Sequence, residues 1–203
     1  PYIHVESSGS MDLEQCRYEA TNDGGVKVSG SAFTHGDAYT VKLEGAVCVG
    51  YQSVCIGGMR DPFFIRHIDI WLAEVRANIE NSVSAILGRH LKSGEDYHLV
   101  IHQYGRNAVM GAKELETTLP REICLVLEVT AKTQEIATKI AEISRQPMLH
   151  HPIPEWSGSI TSIAYLHNPV PLDRGAVYRF AYNHVAVPRT KEEMFRMKFV
   201  DIG

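Results

Sequence analysis

Two glycines and an arginine at a predicted strand-to-helix junction form the first candidate chemical site in the sequence. Residues 56–62 read IGGMRDP. Glycines let a ligand or another stretch of backbone approach closely, a helix N-terminus offers free N–H groups, and a guanidinium is a bidentate donor to oxyanions. Gly57, Gly58 and Arg60 are therefore predicted to bind a carboxylate or phosphate. The alternative is a structural turn in which Asp61 caps the helix and the arginine pairs with a neighbouring acid.

A second candidate site lies at the end of a predicted strand over residues 97–104. His102 and Tyr104 share one face of that strand because side chains alternate along it, and both residue types act as general acids or bases in enzymes. Arg106 and Asn107 follow after Gly105 and are predicted to bind and orient a substrate. An ordinary hydrogen-bonded surface is the alternative interpretation.

No metal site or cofactor motif is assigned from the sequence. His98 and His102 have the spacing of a zinc-binding helix, but along a strand they lie roughly 13 Å apart, too far to share a metal. Whether a loop presents His150 or His151 to a metal stays open. The four cysteines form no C-x-x-C pair, which favours reduced thiols.

The composition is that of an ordinary globular protein. The chain has 203 residues, of which 44% are apolar and 22% charged, and this length is enough for one domain with its own core. With 20 basic and 24 acidic residues the net charge is −4, so no basic excess exists to neutralise nucleic-acid phosphates. No apolar run has the length of a membrane-spanning helix, and no signal peptide is visible. We expect a cytoplasmic protein that binds neither nucleic acid nor a membrane.

A long amphipathic helix is predicted over residues 62–88. Asp61 is a favoured N-cap residue, and Gly88 is a plausible end. Apolar residues recur every three or four positions, which is the helical period. These residues are Phe64, Ile68, Trp71, Val75, Ile79, Val83 and Ile86.

A second helix and several strands complete the predicted elements. The helix follows Thr133, its candidate cap, and is predicted to end near Gln146 because Pro147 disfavours helix in the residue before it. One strand, residues 123–129, is almost wholly apolar and is placed at the centre of the sheet. Residues 39–56 form either two strands or one sharply bent strand. The other predicted strands include residues 2–6, 97–104, 159–167 and 177–187.

This order of elements predicts an α+β protein. Strand, helix, strand, strand, helix and strand follow one another, with extra strands at the N-terminus. The pattern is typical of a split βαβ sandwich, in which two main helices cover one face of a mixed or antiparallel sheet. We predict a single domain over residues 1–203, with residues 1–40 as a candidate β-rich annex and residues 188–203 as a short helix or tail.

Several ordered segments together resemble the acyclic terpene utilisation (AtuA) family of bacterial and fungal proteins. The similarity extends over roughly residues 1–187 and corresponds to the C-terminal portion of the family, whose members carry a large α/β region ahead of it. The segments that carry the resemblance are residues 41–46, 50–53, 57–62, 104–111, 128–135 and 177–180.

The resemblance implies a role in the catabolism of branched, isoprenoid-type acids as coenzyme A thioesters. One hypothesis is the C-terminal half or a subunit of an enzyme of the hydratase, lyase or isomerase type. Arg60 would then hold the anion, His102 or Tyr104 would move protons, and Arg106 would orient the substrate. The other hypothesis is a non-catalytic module that completes a separate N-terminal α/β half. Both imply a homo- or hetero-oligomer, and whether the chain is an enzyme stays open.

Overall fold

The computed structural model describes residues 2–88, 90–153, 161–190, 192–195 and 197–202. Its helices are α1 (Pro62–Arg66), α2 (Ile68–Leu87) and α3 (Gln134–His150), with one 3₁₀ turn at Gly111–Lys113. Its strands are β1 (Ile3–Glu6), β2 (Gly9–Asp12), β3 (Arg17–Ala20), β4 (Val26–Ser29), β5 (Ala32–His35), β6 (Val41–Met59), β7 (Tyr97–Tyr104), β8 (Ile123–Ala131), β9 (Ala164–Tyr165) and β10 (Leu172–Ala186).

The main sheet has five strands in the order β10-β6-β8-β7, and β9 pairs with β6. Strand β8 is antiparallel to both β6 and β7, so β6 and β7 run in the same direction with β8 inserted between them. The helices α1 and α2 connect β6 to β7. This is the predicted split βαβ arrangement, and the predicted central position of β8 is confirmed.

The core lies between this sheet and the helices. Alternate residues of β8 are fully buried, among them Leu125, Leu127 and Val129. From the helices, Trp71 in α2 and Ile140 in α3 are also fully buried in the same cluster. Each such side chain contributes about 1.5–3 kcal/mol on leaving water. The predicted α+β class, with helices on one sheet face and extra N-terminal strands, is confirmed.

The first helical region is correctly placed but interrupted. Asp61 caps α1 by accepting hydrogen bonds from the N–H groups of Phe63 and Phe64 at 2.8 and 3.2 Å. His67 separates α1 from α2 with φ −104° and ψ 17°, outside the helical region. The prediction of one continuous helix is therefore wrong, although Gly88 ends α2 as predicted.

Helix α3 begins as predicted and ends later than predicted. Thr133 accepts a hydrogen bond from the Ile136 N–H at 3.3 Å, which confirms the cap. The helix continues through Pro147 to His150, so the predicted end at Gln146 is wrong. A proline in the final turn removes only one backbone donor, and Pro147 is itself buried in the interface that stabilises the helix.

Strand β6 is a single element of 19 residues rather than two strands. Gly50 has φ +143°, and a Cβ there would lie 2.5 Å from the carbonyl oxygen of Ala131, so this position requires glycine. Because β6 continues to Met59, the predicted glycine junction at residues 57–58 is part of the strand. Of the other strands, β10 begins at Leu172, before the predicted start at residue 177. The strand predicted at 159–167 is limited to β9, and its residues 159–160 lie outside the described residues.

The chain divides into two compact units by its internal contacts. The helix-bearing unit is residues 48–179 and contains the core. The β-rich unit, residues 1–47 and 180–203, includes a β1-β2-β5 antiparallel sheet and a β3-β4 hairpin. None of its described residues is buried, and no helix occurs in the described part of its last 15 residues.

Among the described helices, none combines the length and apolarity that crossing a membrane requires.

Gly57 and Gly58 make a matched pair for a stability test. A Cβ at Gly57 would lie 2.6 Å from Ile163 Cδ1 and 2.9 Å from the backbone oxygen of Ala164, whereas nothing lies within 4 Å of one at Gly58. We expect Gly57→Ala to lower the free energy of unfolding by about 1–3 kcal/mol through this overlap, and Gly58→Ala to change it by less than about 1 kcal/mol. Urea unfolding measures both values. Equal stability of the two variants would contradict the close approach of β9.

Candidate functional site

The structure does not assemble the predicted anion site around Arg60. The Arg60 side chain is 75% exposed, and its Nη1 lies 3.6 Å from Oε2 of Glu122. Asp61 already accepts hydrogen bonds from the N–H groups of Phe63 and Phe64 at the start of α1. The space beside Gly57 is occupied by Ile163 and the backbone of β9. The arginine, the glycines and the helix N-terminus therefore do not converge on one hollow.

Arg106 has an acidic partner, and the backbone of Asn107 is held in a turn. Arg106 forms a bidentate ion pair with Asp69 of α2, with Nη–Oδ distances of 2.6 and 2.7 Å. Its Nη1 also donates to Gln103 Oε1 at 2.9 Å. The Asn107 N–H donates to the Gln103 carbonyl, and the Asn107 carbonyl accepts from the Gly111 N–H. These contacts fasten the end of β7 to α2 and shape the following turn.

His102 and Tyr104 are the predicted site residues that the structure brings together. They lie on the same face of β7, with ring centroids 6.3 Å apart. The Nε2 atom of His102 lies 3.2 Å from Oε2 of Glu128, and both side chains are about one-third exposed, at 33% and 29%. A histidine that contacts a carboxylate and is still accessible to solvent has the arrangement of a general base.

The carboxylate decides which imidazole nitrogen is free. An ionised Glu128 can only accept hydrogen bonds, so the proton of neutral His102 belongs on Nε2. The Nδ1 atom is then left to accept a proton from a substrate. The negative charge of Glu128 also stabilises the imidazolium that such a transfer produces.

Glu128 is connected to two further polar residues. Gln52 is only 7% exposed, and its Nε2 donates to Glu128 Oε2 at 3.4 Å and to Thr130 Oγ1 at 3.2 Å. Arg174 donates from Nη1 to Oε1 of the same amide. Arg174, Gln52, Glu128 and His102 thus form a line of polar contacts from β10 through β6 and β8 to β7, called here the cross-sheet row.

Strand register produces this row. Gln52 pairs with Thr130, and Val126 pairs with both Ile56 and His102. Glu128 lies between Thr130 and Val126 along β8, so its side chain is diagonal to both partners and within reach of them. Because alternate residues face opposite ways, the row lies on the face away from the buried leucines of β8 and from the helices. This face is called here the helix-free face.

The sequence-based prediction missed Glu128, Gln52 and Arg174. Glu128 carried a usable signal, because it is the only charged residue in the apolar strand ICLVLEVTA. A charge in a central strand requires a partner. Gln52 and Arg174 carried no local signal, since the residues they contact are 76 and 122 positions away in the chain.

His151 forms a separate contact between two helices. Its Nε2 lies 3.1 Å from Oε2 of Glu74, and its Nδ1 lies 3.3 Å from the Asn78 amide nitrogen. Trp71 Nε1 donates to the carbonyl of His151 at 2.9 Å. These contacts join the end of α3 to α2. Within the described ranges, no three acidic, cysteine or histidine side chains come together as a metal site would require.

Comparisons with known proteins return no family model, no curated protein and no solved structure that matches the chain. The family resemblance therefore stays a prediction, and the candidate site is argued from its geometry alone.

The ion pair between Asp69 and Arg106 predicts a pH dependence. The hydrogen bond from Arg106 lowers the pKa of Asp69 below its ordinary value, so the pair stabilises the fold above about pH 4 and loses this effect as the pH falls through the lowered pKa. We expect Asp69→Asn to lower the melting temperature at pH 7. The loss in free energy of unfolding should be less than about 1 kcal/mol, since the carboxylate is exposed. The difference from wild type should shrink as the pH falls below about 4 and through the lowered pKa. Melting curves from pH 2 to 7 measure it.

Asp37→Asn is the control for that series, because Asp37 has no ion pair among the described residues. A difference between wild type and Asp69→Asn that stays constant down to pH 2 would contradict the assigned role of the pair.

Proposed function

We propose that the chain is the C-terminal half or a subunit of an enzyme that moves a proton on a branched acyl thioester or carboxylic acid. The reaction would be of the hydratase, lyase or isomerase type, in the catabolism of isoprenoid-type acids, and the location cytoplasmic. The observation that carries the proposal is the His102–Glu128 pair, with 3.2 Å between Nε2 and Oε2, on the helix-free face of the main sheet.

The chemistry follows from the two free polar groups at this end of the row. The Nδ1 atom of His102 removes a proton from the carbon next to the carbonyl, and Glu128 stabilises the resulting imidazolium. Tyr104 is 48% exposed. Its hydroxyl is the nearby donor for the carbonyl oxygen on which negative charge develops. Arg60 and Arg106 take no part in this version of the site, because each has another partner.

The first test is exchange of substrate protons in heavy water. Branched acyl-coenzyme A thioesters and the free acids are incubated with the protein in D₂O, and mass spectrometry measures deuterium at the α-carbon. We expect His102→Gln to lower the exchange rate at least about 100-fold by removing the base. Glu128→Gln keeps a hydrogen-bond acceptor and loses the charge that stabilises the imidazolium, so we expect about a 10-fold loss of exchange rate.

His98→Gln is the matched control. His98 lies on the same strand and the same face as His102 and has no ion pair among the described residues, so its variant should exchange at the wild-type rate. Equal exchange by wild type and His102→Gln, or loss in the His98 variant alone, would remove the proposed role of His102.

A second candidate function, a non-catalytic assembly module, is favoured by the exposed β-rich unit. In its β3-β4 hairpin, Tyr18 pairs with Val28 and Ala20 pairs with Val26, which puts all four on one face. Three of them are strongly exposed, at 69% for Tyr18, 63% for Val26 and 53% for Val28. A two-stranded hairpin is at best marginally stable by itself. An apolar hairpin face of this kind is a contact surface for a separate N-terminal half or another subunit.

Substitutions on the two faces of the hairpin test this second function. We expect Val28→Lys to dissociate the native complex of the tagged chain, because a charge replaces an apolar contact. Ser29→Lys adds the same charge on the opposite, polar face and should leave the complex intact. Native mass spectrometry of the protein from its own source measures the mass. A wild-type chain recovered alone at 22.7 kDa would contradict an assembly role.

A further inference from the structure

Arg174 differs from the two arginines that the sequence singled out. Arg106 has both terminal nitrogens on Asp69, and Arg60 is highly exposed beside Glu122. Arg174 donates a hydrogen bond to a neutral amide, Gln52 Oε1. Among the residues that the structure describes, no carboxylate forms a salt bridge with it.

The guanidinium of Arg174 is also held in place. Gln52 is 7% exposed, and its amide is engaged at both ends, with Oε1 accepting from Arg174 and Nε2 donating to Glu128 and Thr130. Turning this amide over would place its nitrogen against the guanidinium and its oxygen against the carboxylate. The amide orientation is thus determined by both neighbours, and it directs one N–H of Arg174.

The neighbouring acid does not neutralise Arg174. Asp173 points to the other side of the strand, where Oδ1 accepts from Ser53 at 2.8 Å and from Thr138 at 2.6 Å. Those hydrogen bonds lower the pKa of Asp173, so it is ionised at neutral pH but is occupied by its own partners. The guanidinium has five donors in a planar fork that fits a carboxylate, and among the described residues only Gln52 accepts from it.

We propose that Arg174 binds the distal carboxylate of an extended acyl thioester, whose reacting carbon, next to the thioester carbonyl, lies at His102. This inference rests on the proposed proton-transfer function and adds the substrate class. Through Gln52 and Glu128, the contacts of the row place the guanidinium on the order of 10 Å from the imidazole. The anionic group and the reacting carbon are thus separated by a chain of about eight carbons, at roughly 1.25 Å per bond along an extended chain. A short acid, with its carboxylate next to the reacting carbon, does not span this distance.

Binding of octanoate tests the inference without any need for turnover. The imidazole ¹H–¹⁵N signals of His102 are followed by NMR during titration of the whole chain with octanoate, and calorimetry gives the dissociation constant. We expect octanoate to shift the His102 signals, and Arg174→Gln to weaken its binding at least about 10-fold. Octanamide is the neutral isostere and cannot form the charged contact with Arg174. Its affinity for wild type should therefore be as low as the affinity of octanoate for Arg174→Gln.

Matched variants separate this site from the others. Arg60→Gln removes an exposed arginine and should leave octanoate binding unchanged. Arg174→Lys keeps the charge without the planar fork, so its affinity for octanoate should lie between those of wild type and Arg174→Gln. If Arg174→Gln fails to fold, Arg174→Lys replaces it in the binding test. His102→Gln should abolish deuterium exchange while octanoate still binds, so a failure of the proton-transfer proposal is distinguishable from a failure of this one.

Three outcomes would overturn the inference. The first is equal octanoate affinity in wild type and Arg174→Gln. The second is an equal loss in Arg60→Gln. The third is that binding of inorganic phosphate and coenzyme A depends on Arg174 while binding of octanoate does not. The ligand group of Arg174 would then be a phosphate and not a carboxylate.

Discussion

The register of one central strand is the constraint on which the rest of the structure depends. Strand β8 is hydrogen-bonded to β6 on one side and β7 on the other, so its alternation assigns each residue to a face. Leu125, Leu127 and Val129 face the helices, and Glu128 faces the other way. A slip of one residue would exchange the two sets. It would put a carboxylate into a dry core at a cost of several kcal/mol, so burial of the leucines also holds the acid in the cross-sheet row.

The three arginines show how a shared chemical type takes different roles. Arg106 links β7 to α2, because its position after the end of β7 allows an ion pair with Asp69 of α2. Arg60 extends from the end of β6 into solvent, where an ion pair contributes little. Arg174 contacts a buried amide, and no carboxylate among the described residues pairs with it. All three side chains are guanidinium groups, and the neighbours decide what each one can do.

The two units differ in what stabilises them. The helix-bearing unit has a continuous apolar core and so can hold polar side chains in fixed positions on its sheet. The described residues of the β-rich unit include none that is buried, and its strands are held by backbone pairing. The two proposed functions concern different units.

Local pattern was enough for the features that depend on near neighbours. The apolar stripe of α2, the cap at Asp61 and the shared face of His102 and Tyr104 follow from periods of 3.6 and 2 residues, which any reader of the sequence can count. The tertiary structure decided the rest. Packing carried α3 through Pro147, and pairing with β8 and β9 kept Gly57 in a strand. Glu128, Gln52 and Arg174 met His102 only because strand register brings together side chains that are as many as 122 positions apart in the chain, and no local spacing records that register.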